Sequence, residues 1–454
     1  MELHWGNRIL WQFLLCIAVF SLALVFIEEV LCAEVFPPHE IETTEIERNE
    51  TLHTEPRVYS GDDVKGIRDR WSYFATIDVS YTLSDRSGSD TLSGGSIDGV
   101  LVPRYRFSDR LSFTLMYDAN YYRKRDFYSD EVGPRERTEF QRHAITPMFR
   151  INFGEKFRYS VIPSFFYTRT YNKDVEGGDW DDGLYNYEDM GGGLDFSVGE
   201  LGFGGVNGVL RLGVQYYKRN YPNFDSLLDL AIGLNVERDE RDYHGILTKV
   251  GYNWVQESGF SWSANYYLLC KKLDSKKVVD RNGVLSSEEQ RDRLHNLDLS
   301  LWYFPDYHRS VRVGLDVNCS VNESNQNYYD GMGTIIPSDD EFLKDFYDYT
   351  SYFISPNISY SFSLLPLTPS LAYSYQKLVY SDRRAQNSNG SYKSDAQYSD
   401  EHQIAFRLRY DLFDTMSLYV QWQYVDVRSN NDNQSVYEYN RTVNNYYIGV
   451  SYRF

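Results

Sequence analysis

The sequence predicts an all-β protein: a transmembrane, antiparallel, up-and-down β-barrel of about sixteen strands, with eighteen as the alternative count. First, apolar and polar residues alternate in short segments from Trp71 to Phe454, which is the period of a strand with two different faces. Second, aromatic residues make up 17% of the chain, with 41 tyrosines, and such residues favour strands. Third, beyond the first thirty residues no stretch carries the roughly 18 apolar residues that a membrane-spanning helix requires.

The N-terminal segment has the features of an export signal. Arg8 precedes the apolar run ILWQFLLCIAVFSLALVF, and Ala33 offers a small residue at the cleavage point, so we expect residues 1–33 to be a signal peptide. An uncleaved anchor and a lipoprotein cleavage before Cys32 are the alternatives, and each exports the rest of the chain. Residues 34–70 are acidic, interrupted by proline and without periodicity, which predicts a flexible periplasmic tail before the barrel at 71–454.

Sixteen alternating segments follow. They are WSYFATIDVSYTLS, SIDGVLVPRYRFS, LSFTLMYDANYYRKR, EFQRHAITPMFRINF, KFRYSVIPSFFYTRTY, GGGLDFSV, GVLRLGVQYYKR, YHGILTKVGYNW, FSWSANYYLLCKK, LHNLDLSLWYF, SVRVGLDVNCSV, SYFISPNISYSF, TPSLAYSYQKLVY, HQIAFRLRYDLF, MSLYVQWQYVDV and YYIGVSYRF. Short and long connections alternate, which predicts tight periplasmic turns and long extracellular loops. Residues 224–240 fit either a strand or a short helix; we place them in an outer loop, because an extra strand would reverse the order of short and long connections.

Each strand has one apolar face and one polar face. In QIAFRLRYDL, for example, Ile404, Phe406 and Leu408 lie opposite Arg407 and Asp411. Lipid offers no hydrogen bonds, so strands with such faces must close into a ring. Tyrosine and tryptophan near strand ends suit the two lipid–water boundaries: Tyr121, Tyr122, Tyr167, Tyr216, Tyr217, Trp254, Trp302, Tyr303 and Trp422. Four prolines within strands predict bulges or local unpairing: Pro103, Pro147, Pro163 and Pro356.

The chain ends in NNYYIGVSYRF. One face of this segment carries Tyr446, Ile448, Val450, Tyr452 and Phe454. A terminal aromatic residue preceded by apolar residues at alternate positions resembles the recognition signal of bacterial outer-membrane β-barrel proteins. The resemblance implies location in the bacterial outer membrane, contact with its lipid, and recognition of this last strand by the barrel assembly machinery.

A second resemblance concerns VRSNNDNQSVYEYNRTVNNYYIGVSYRF. The Ser-Asn pair, the Tyr-x-Tyr-Asn-Arg motif and the final strand are similar to porin-like barrels, some associated with exopolysaccharide export. They are also similar to the barrel part of surface lipoprotein assembly modifiers. Those modifiers usually carry an N-terminal helical repeat domain, and no such repeat precedes the strands in this sequence.

Charged residues on the polar faces predict a charged lumen. The basic ones gather toward the periplasmic ends of strands: Arg104, Arg106, Arg150, Arg158, Arg211, Arg312, Arg407, Arg409 and Arg453. The acidic ones are Asp98, Asp118, Asp195, Asp298, Asp316 and Asp411. They could form a constriction that selects anions or acidic sugars, or they could pair with one another and brace the wall.

Other candidate sites are weaker. The acidic loop 174–183 could hold calcium through Asp174, Glu176, Asp179, Asp181 and Asp182, or it could be a plain solvated loop. Cys270 and Cys319 fall on strands that we expect to be separated by one strand, which is too far for a disulfide. No metal-ligand spacing, phosphate loop or nucleophile motif is present, so we expect no cofactor and no enzyme.

These features lead to two functional interpretations. The first is a porin-like channel for small solutes or for an exported polymer such as an exopolysaccharide. The alternative is a non-conducting barrel used for surface protein assembly, adhesion or scaffolding. The net charge of −19 argues against a nucleic-acid partner, since such proteins are usually basic.

Overall fold

The computed structural model describes residues 70–86, 92–126, 137–173, 179–199, 207–224, 240–256, 259–305, 310–330, 341–433 and 440–454. Within them, no helix is both long and apolar enough to cross a membrane. The signal peptide, the acidic tail and most of segment 224–240 lie outside the described residues.

The fold is a closed antiparallel barrel of sixteen strands, as predicted. Its strands are β1 (Trp71–Arg86), β2 (Leu92–Arg106), β3 (Leu111–Asp126), β4 (Arg137–Phe153), β5 (Tyr159–Lys173), β6 (Tyr187–Val198), β7 (Asn207–Asn220), β8 (Tyr243–Val255), β9 (Phe260–Val279), β10 (Leu285–Tyr303), β11 (Val311–Ser324), β14 (Tyr349–Tyr360), β15 (Leu367–Gln386), β16 (Tyr392–Phe413), β17 (Met416–Ser429) and β18 (Arg441–Arg453). Two short strands, β12 (Tyr328–Asp330) and β13 (Glu341–Leu343), form a separate hairpin between β11 and β14.

The last strand closes the ring onto the first. β18 pairs with β1 from Thr76↔Arg453 to Arg86↔Val443, and with β17 on its other side. The terminal residue takes part, since the Phe454 N–H donates to the Ala75 carbonyl at 2.9 Å. Because a barrel in lipid has no free edge, this seam is what makes the wall continuous.

The strands extend further at the outer end than the sequence suggests. We expected residues 273–290 and 381–400 to be long loops. Instead, β9 and β10 are joined by a turn at 280–284, and β15 and β16 by a turn at 387–391. Beyond the membrane neither face of a strand meets lipid. The alternation of apolar and polar residues is therefore lost in these strand extensions, and their sequences resemble those of loops.

The four prolines interrupt pairing without shifting it. Pro147 of β4 is paired with Leu115 of β3 on one side. On its other side, the β4–β5 ladder skips from Ile145 to Met148 and resumes in the same register. Pro356 is likewise paired with Leu315 of β11, whereas the β14–β15 ladder skips it and resumes in the same register. Proline lacks the N–H for one ladder only, so the expected unpairing occurs, and no bulge forms.

The two cysteines are arranged as expected. Cys270 lies on β9 and Cys319 on β11, with β10 between them. Cys319 is a free thiol, so no disulfide joins the two strands.

Candidate functional site: the lumen wall

The outward face of the wall is the apolar one. On β16, Ile404, Phe406 and Tyr410 point outward and are 38–43% exposed, as expected for side chains that meet lipid. The alternate residues Arg407, Arg409 and Asp411 face the lumen. Three of the predicted boundary aromatics are exceptions, because the register places Tyr122, Tyr217 and Trp302 on the inward face.

The predicted arginines lie on the inward face close to the short turns. Their strands are β2 for Arg104 and Arg106, β4 for Arg150, β7 for Arg211, β11 for Arg312, β16 for Arg407 and Arg409, and β18 for Arg453. Arg158 differs, because it lies in the turn before β5, where its Nε donates to the Gly199 carbonyl at 3.2 Å. The arginines therefore gather at the periplasmic end of the lumen.

Small hydroxyl residues separate these arginines. One cross-strand row reads Arg106, Ser112, Arg150, and another reads Arg312, Ser359, Ser370, Arg407. Serine fills little space beside a guanidinium group, so the long side chains can extend into the lumen.

Aromatic faces hold two of the arginines. The Arg312 guanidinium carbon lies 3.8 Å from the Trp302 ring centroid, and that of Arg407 lies 3.9 Å from the Tyr419 ring. A cation–π contact fixes a guanidinium group without cancelling its charge. Arg409 is different, since it forms an ion pair with Asp411 at 3.0 Å.

The aspartates bind neighbouring strands. Asp195 pairs with Lys249 at 2.7 Å, and Asp118 pairs with Arg142 at 3.2 Å. Asp316 accepts a hydrogen bond from Ser300 at 2.7 Å. Asp98 and Asp298 accept hydrogen bonds from Asn120 and Asn318. These bonds brace the wall, although the partners are mostly not the predicted arginines.

A small cavity lies at the periplasmic mouth. Its volume is about 240 Å³, and its lining includes Arg104, Arg106, Asn152 and Phe157. Arg104 Nη2 donates to the Ser112 hydroxyl at 3.2 Å. The carboxylate of Asp109 also lines the cavity, so both signs of charge meet at this mouth.

The sequence did not reveal a buried pair near the outer end of the lumen. Arg219 binds both oxygens of Asp189, at 2.7 and 2.8 Å, and its guanidinium carbon lies 3.9 Å from the Tyr187 ring. Alternation along their strands places both Arg219 and Asp189 on the inward face, but nothing in the sequence distinguishes them from other charged residues on strands.

The seam contains a second interaction that the sequence does not reveal. The Tyr419 hydroxyl on β17 donates to Asp78 on β1 at 2.6 Å, so its ring passes over Gly449 of β18. The ring fits because Gly449 has no side chain. Tyr419 thereby joins the strands on both sides of the terminal strand.

The described histidines all face outward. In each case a tyrosine of the preceding strand bonds to the histidine Nδ1. The pairs are Tyr117–His143 at 2.9 Å, Tyr216–His244 at 2.7 Å, Tyr266–His295 at 2.8 Å and Tyr373–His402 at 2.8 Å. These side chains meet the membrane boundary, so they do not form a catalytic dyad in the lumen.

An extracellular segment before β14 carries a titratable group. Phe346 is buried against Tyr328, with ring centroids 4.7 Å apart, and Arg383 lies over the same ring. Burial, together with the charge of Asp345, raises the pKa of nearby Asp348 to about 7. This carboxyl group can therefore change charge near neutral pH.

The candidate calcium loop is only partly described, since Asp174 and Glu176 lie outside the described residues. Asp181 forms an ion pair with Arg169 at 3.2 Å. Among the residues that are described, no group of three or more potential ligands could hold a metal ion.

A closed barrel with an apolar outer band, a polar inner face and short turns at one end is an outer-membrane barrel. The chain is a bacterial outer-membrane β-barrel protein of porin-like architecture.

Comparison with known proteins adds little to this assignment. No family model and no curated protein matches the sequence. Among solved structures, Salmonella typhi OmpF in complex with daunomycin has a TM-score of 0.44 and 15% identity, and the match covers 85% of this chain and 97% of that one. Acinetobacter baumannii OccAB4 has a TM-score of 0.41 and 11% identity over 85% and 98% of the two chains. Vibrio cholerae OmpT also has a TM-score of 0.41 and 11% identity, over 85% and 100%. Both the scores and the identities are low, so the class rests on the barrel itself.

Proposed function

We propose that the protein is a passive channel rather than an enzyme, and that it passes small solutes or an exported polymer across the outer membrane. The observation that carries this proposal is the inward face of the closed sixteen-strand ring, which is polar and charged along its height. A ring of this strand number encloses an aqueous lumen, and polar walls keep it hydrated.

The charge pattern favours anionic solutes. Arginines gather at the periplasmic end of the lumen, and two of them stack on aromatic rings, a contact that does not neutralise a guanidinium charge. The aspartates are engaged by hydrogen bonds and ion pairs within the wall. Small organic anions and acidic sugars are therefore the solute class that we infer, and an acidic exopolysaccharide belongs to it.

Conductance of the refolded chain in a planar bilayer tests the proposal directly. We expect steady open steps, and, under a salt gradient, a reversal potential on the anion-selective side. A barrel that shows heat-modifiable migration on a gel but no conductance would refute the channel. Open steps with cation preference would refute the solute class alone.

A non-conducting surface barrel is the second candidate. It is favoured by the buried side chains near the outer end of the lumen, where Tyr187, Asp189 and Tyr243 are each less than 10% exposed. Such packing would suit a plugged barrel that serves in surface protein assembly, adhesion or scaffolding. The same conductance measurement separates this candidate from the channel.

A further inference from the structure

Apolar side chains cluster on the inward face of β1–β5. They are Phe74, Val102, Met116, Met148, Ile162 and Phe166, and we call them the luminal patch. The register places all of them on the same face of the wall as Arg104 and Arg150. Each is half-buried, so part of its surface faces the lumen. An exposed apolar surface that is bordered by polar residues is typical of a binding site.

Met148 lies at the centre of the luminal patch. It is paired with Thr114 on β3 and with Ser164 on β5. Met116 is the next inward residue after Thr114, and the two patch residues of β5 flank Ser164. All three are therefore diagonal neighbours of Met148, at about 7–8 Å, which long side chains can bridge. The patch residues of β1 and β2 lie opposite each other and extend the apolar surface on the other side.

Three arginines border the luminal patch on its periplasmic side. Arg104 is the next inward residue after the patch residue of β2, and Arg150 is the next after that of β4. Arg106 lies opposite Ser112, which in turn lies opposite Arg150, so the arginines cluster around one small residue. Asp109, in the turn beyond them, contributes a carboxylate to the lining of the mouth cavity. These four charged residues together leave the border positive.

A second apolar row on the inward face has different neighbours. Leu247, Leu269 and Leu294 lie opposite one another on β8–β10. The next inward residue on β8 is Lys249, which forms an ion pair with Asp195 at 2.7 Å. The leucine row therefore lies beside a compensated charge, whereas guanidinium groups that outnumber carboxylates border the luminal patch.

We propose that the luminal patch and its arginine border bind amphipathic organic anions, in which a carboxylate is attached to a short alkyl or aryl group. Guanidinium groups bind carboxylates through charge-assisted hydrogen bonds, often two at a time. The apolar part of the solute covers side chains that otherwise face water, and methionine adapts to apolar groups of different shapes. This inference rests on the proposed channel function and narrows its solute class.

The test follows isotope-labelled methionine methyl groups of the refolded chain by NMR during titration with acetate, butyrate and hexanoate. Met116 and Met148 report on the luminal patch. Met190 and Met416 lie on the outward face, opposite Tyr167 and Tyr452, and report partition of the carboxylate into the surrounding lipid. We expect saturable shifts of the two patch methyl groups only, with an affinity that rises about two- to fourfold for each added methylene group. Shifts that do not depend on chain length, or that appear equally at the outward methionines, would overturn the proposal.

Arginine variants test the charged half of the site. Arg104→Gln with Arg150→Gln should weaken hexanoate binding by at least about tenfold, since each removes a charged hydrogen-bond donor. The matched control, Arg211→Gln with Arg409→Gln, removes the same charge elsewhere in the lumen and should have little effect at physiological salt. Equal weakening by both pairs would overturn the proposal, because it would mean general charge attraction. If the test pair does not give a heat-modifiable barrel, Arg150→Gln alone is compared with Arg409→Gln.

Conductance separates a failure of this inference from a failure of the proposed function. Open steps in a barrel whose patch methyl groups show no saturable shift would refute the amphipathic-anion site and leave the channel. Saturable shifts in a barrel that does not conduct would support the site and refute the channel.

Discussion

Gly449 in the terminal strand offers a sharp test of how the barrel closes. A Cβ atom added at Gly449 would overlap Cζ and Oη of Tyr419 and lie 2.7 Å from Cε1, closer than the 3.0 Å that real Cβ contacts respect. Gly449→Ala must therefore displace the Tyr419 ring. That ring carries the 2.6 Å hydrogen bond to Asp78 and the 3.9 Å contact with the Arg407 guanidinium group.

The expected loss is the sum of these two interactions. A hydrogen bond to a charged group contributes about 1.5–3 kcal/mol, and a cation–π contact about 0.5–1 kcal/mol. Gly449→Ala should therefore lower the free energy of unfolding by about 2–4 kcal/mol. Equilibrium urea titration of the barrel in lipid vesicles, followed by tryptophan fluorescence, measures this change as a shift in midpoint at constant slope.

Two comparisons make the measurement decisive. Gly99→Ala on β2 is the matched control, because its new Cβ would meet only backbone oxygens at 3.9 Å, and its effect should be within about 0.5 kcal/mol. In a Tyr419→Ala background, Gly449→Ala should cost little, since the obstructing ring is gone. Equal losses with and without the Tyr419 ring would refute the reasoning, as would a Gly449→Ala barrel as stable as the original.

Three further predictions concern the lumen and the outer segment. Asp189→Asn removes the charged partner of Arg219 and should lower the free energy of unfolding by about 3–5 kcal/mol in the same urea titration. An unchanged midpoint would show that the ion pair does not contribute to the stability of the barrel. Replacing Arg312 and Arg407 with glutamine should move the reversal potential toward cation preference, and an unchanged potential would exclude them from the selective region. The raised pKa of Asp348 means that the folded state holds its proton up to pH 7, so local stability should be greatest at acidic pH and fall as pH rises through about 7. Amide hydrogen exchange of 344–348 should show that dependence, and Asp348→Asn should abolish it.

Much of the architecture follows from alternation alone. Lipid on one side and water on the other impose a period of two, so the sequence predicted about sixteen barrel strands, with eighteen as the alternative, and which face of each is apolar. It also determined the inward side of residues such as Arg312 and Asp316, because parity within a strand does not depend on the neighbouring strands. The prediction was wrong at 273–290 and 381–400, where neither face of the ribbon meets lipid and the alternation disappears.

Only the tertiary structure decided the register, that is, which residues lie opposite each other on neighbouring strands. A slip of one residue between strands moves every partner, and no local signal in a strand sets the exact offset. Tyr419 and Asp78 are 341 residues apart, and their contact over Gly449 exists only because the ring closes with one particular offset. Register has the same effect elsewhere in the wall: Lys218, His244, Lys272 and Arg291 lie on four different strands, and only the pairing of those strands makes them neighbours.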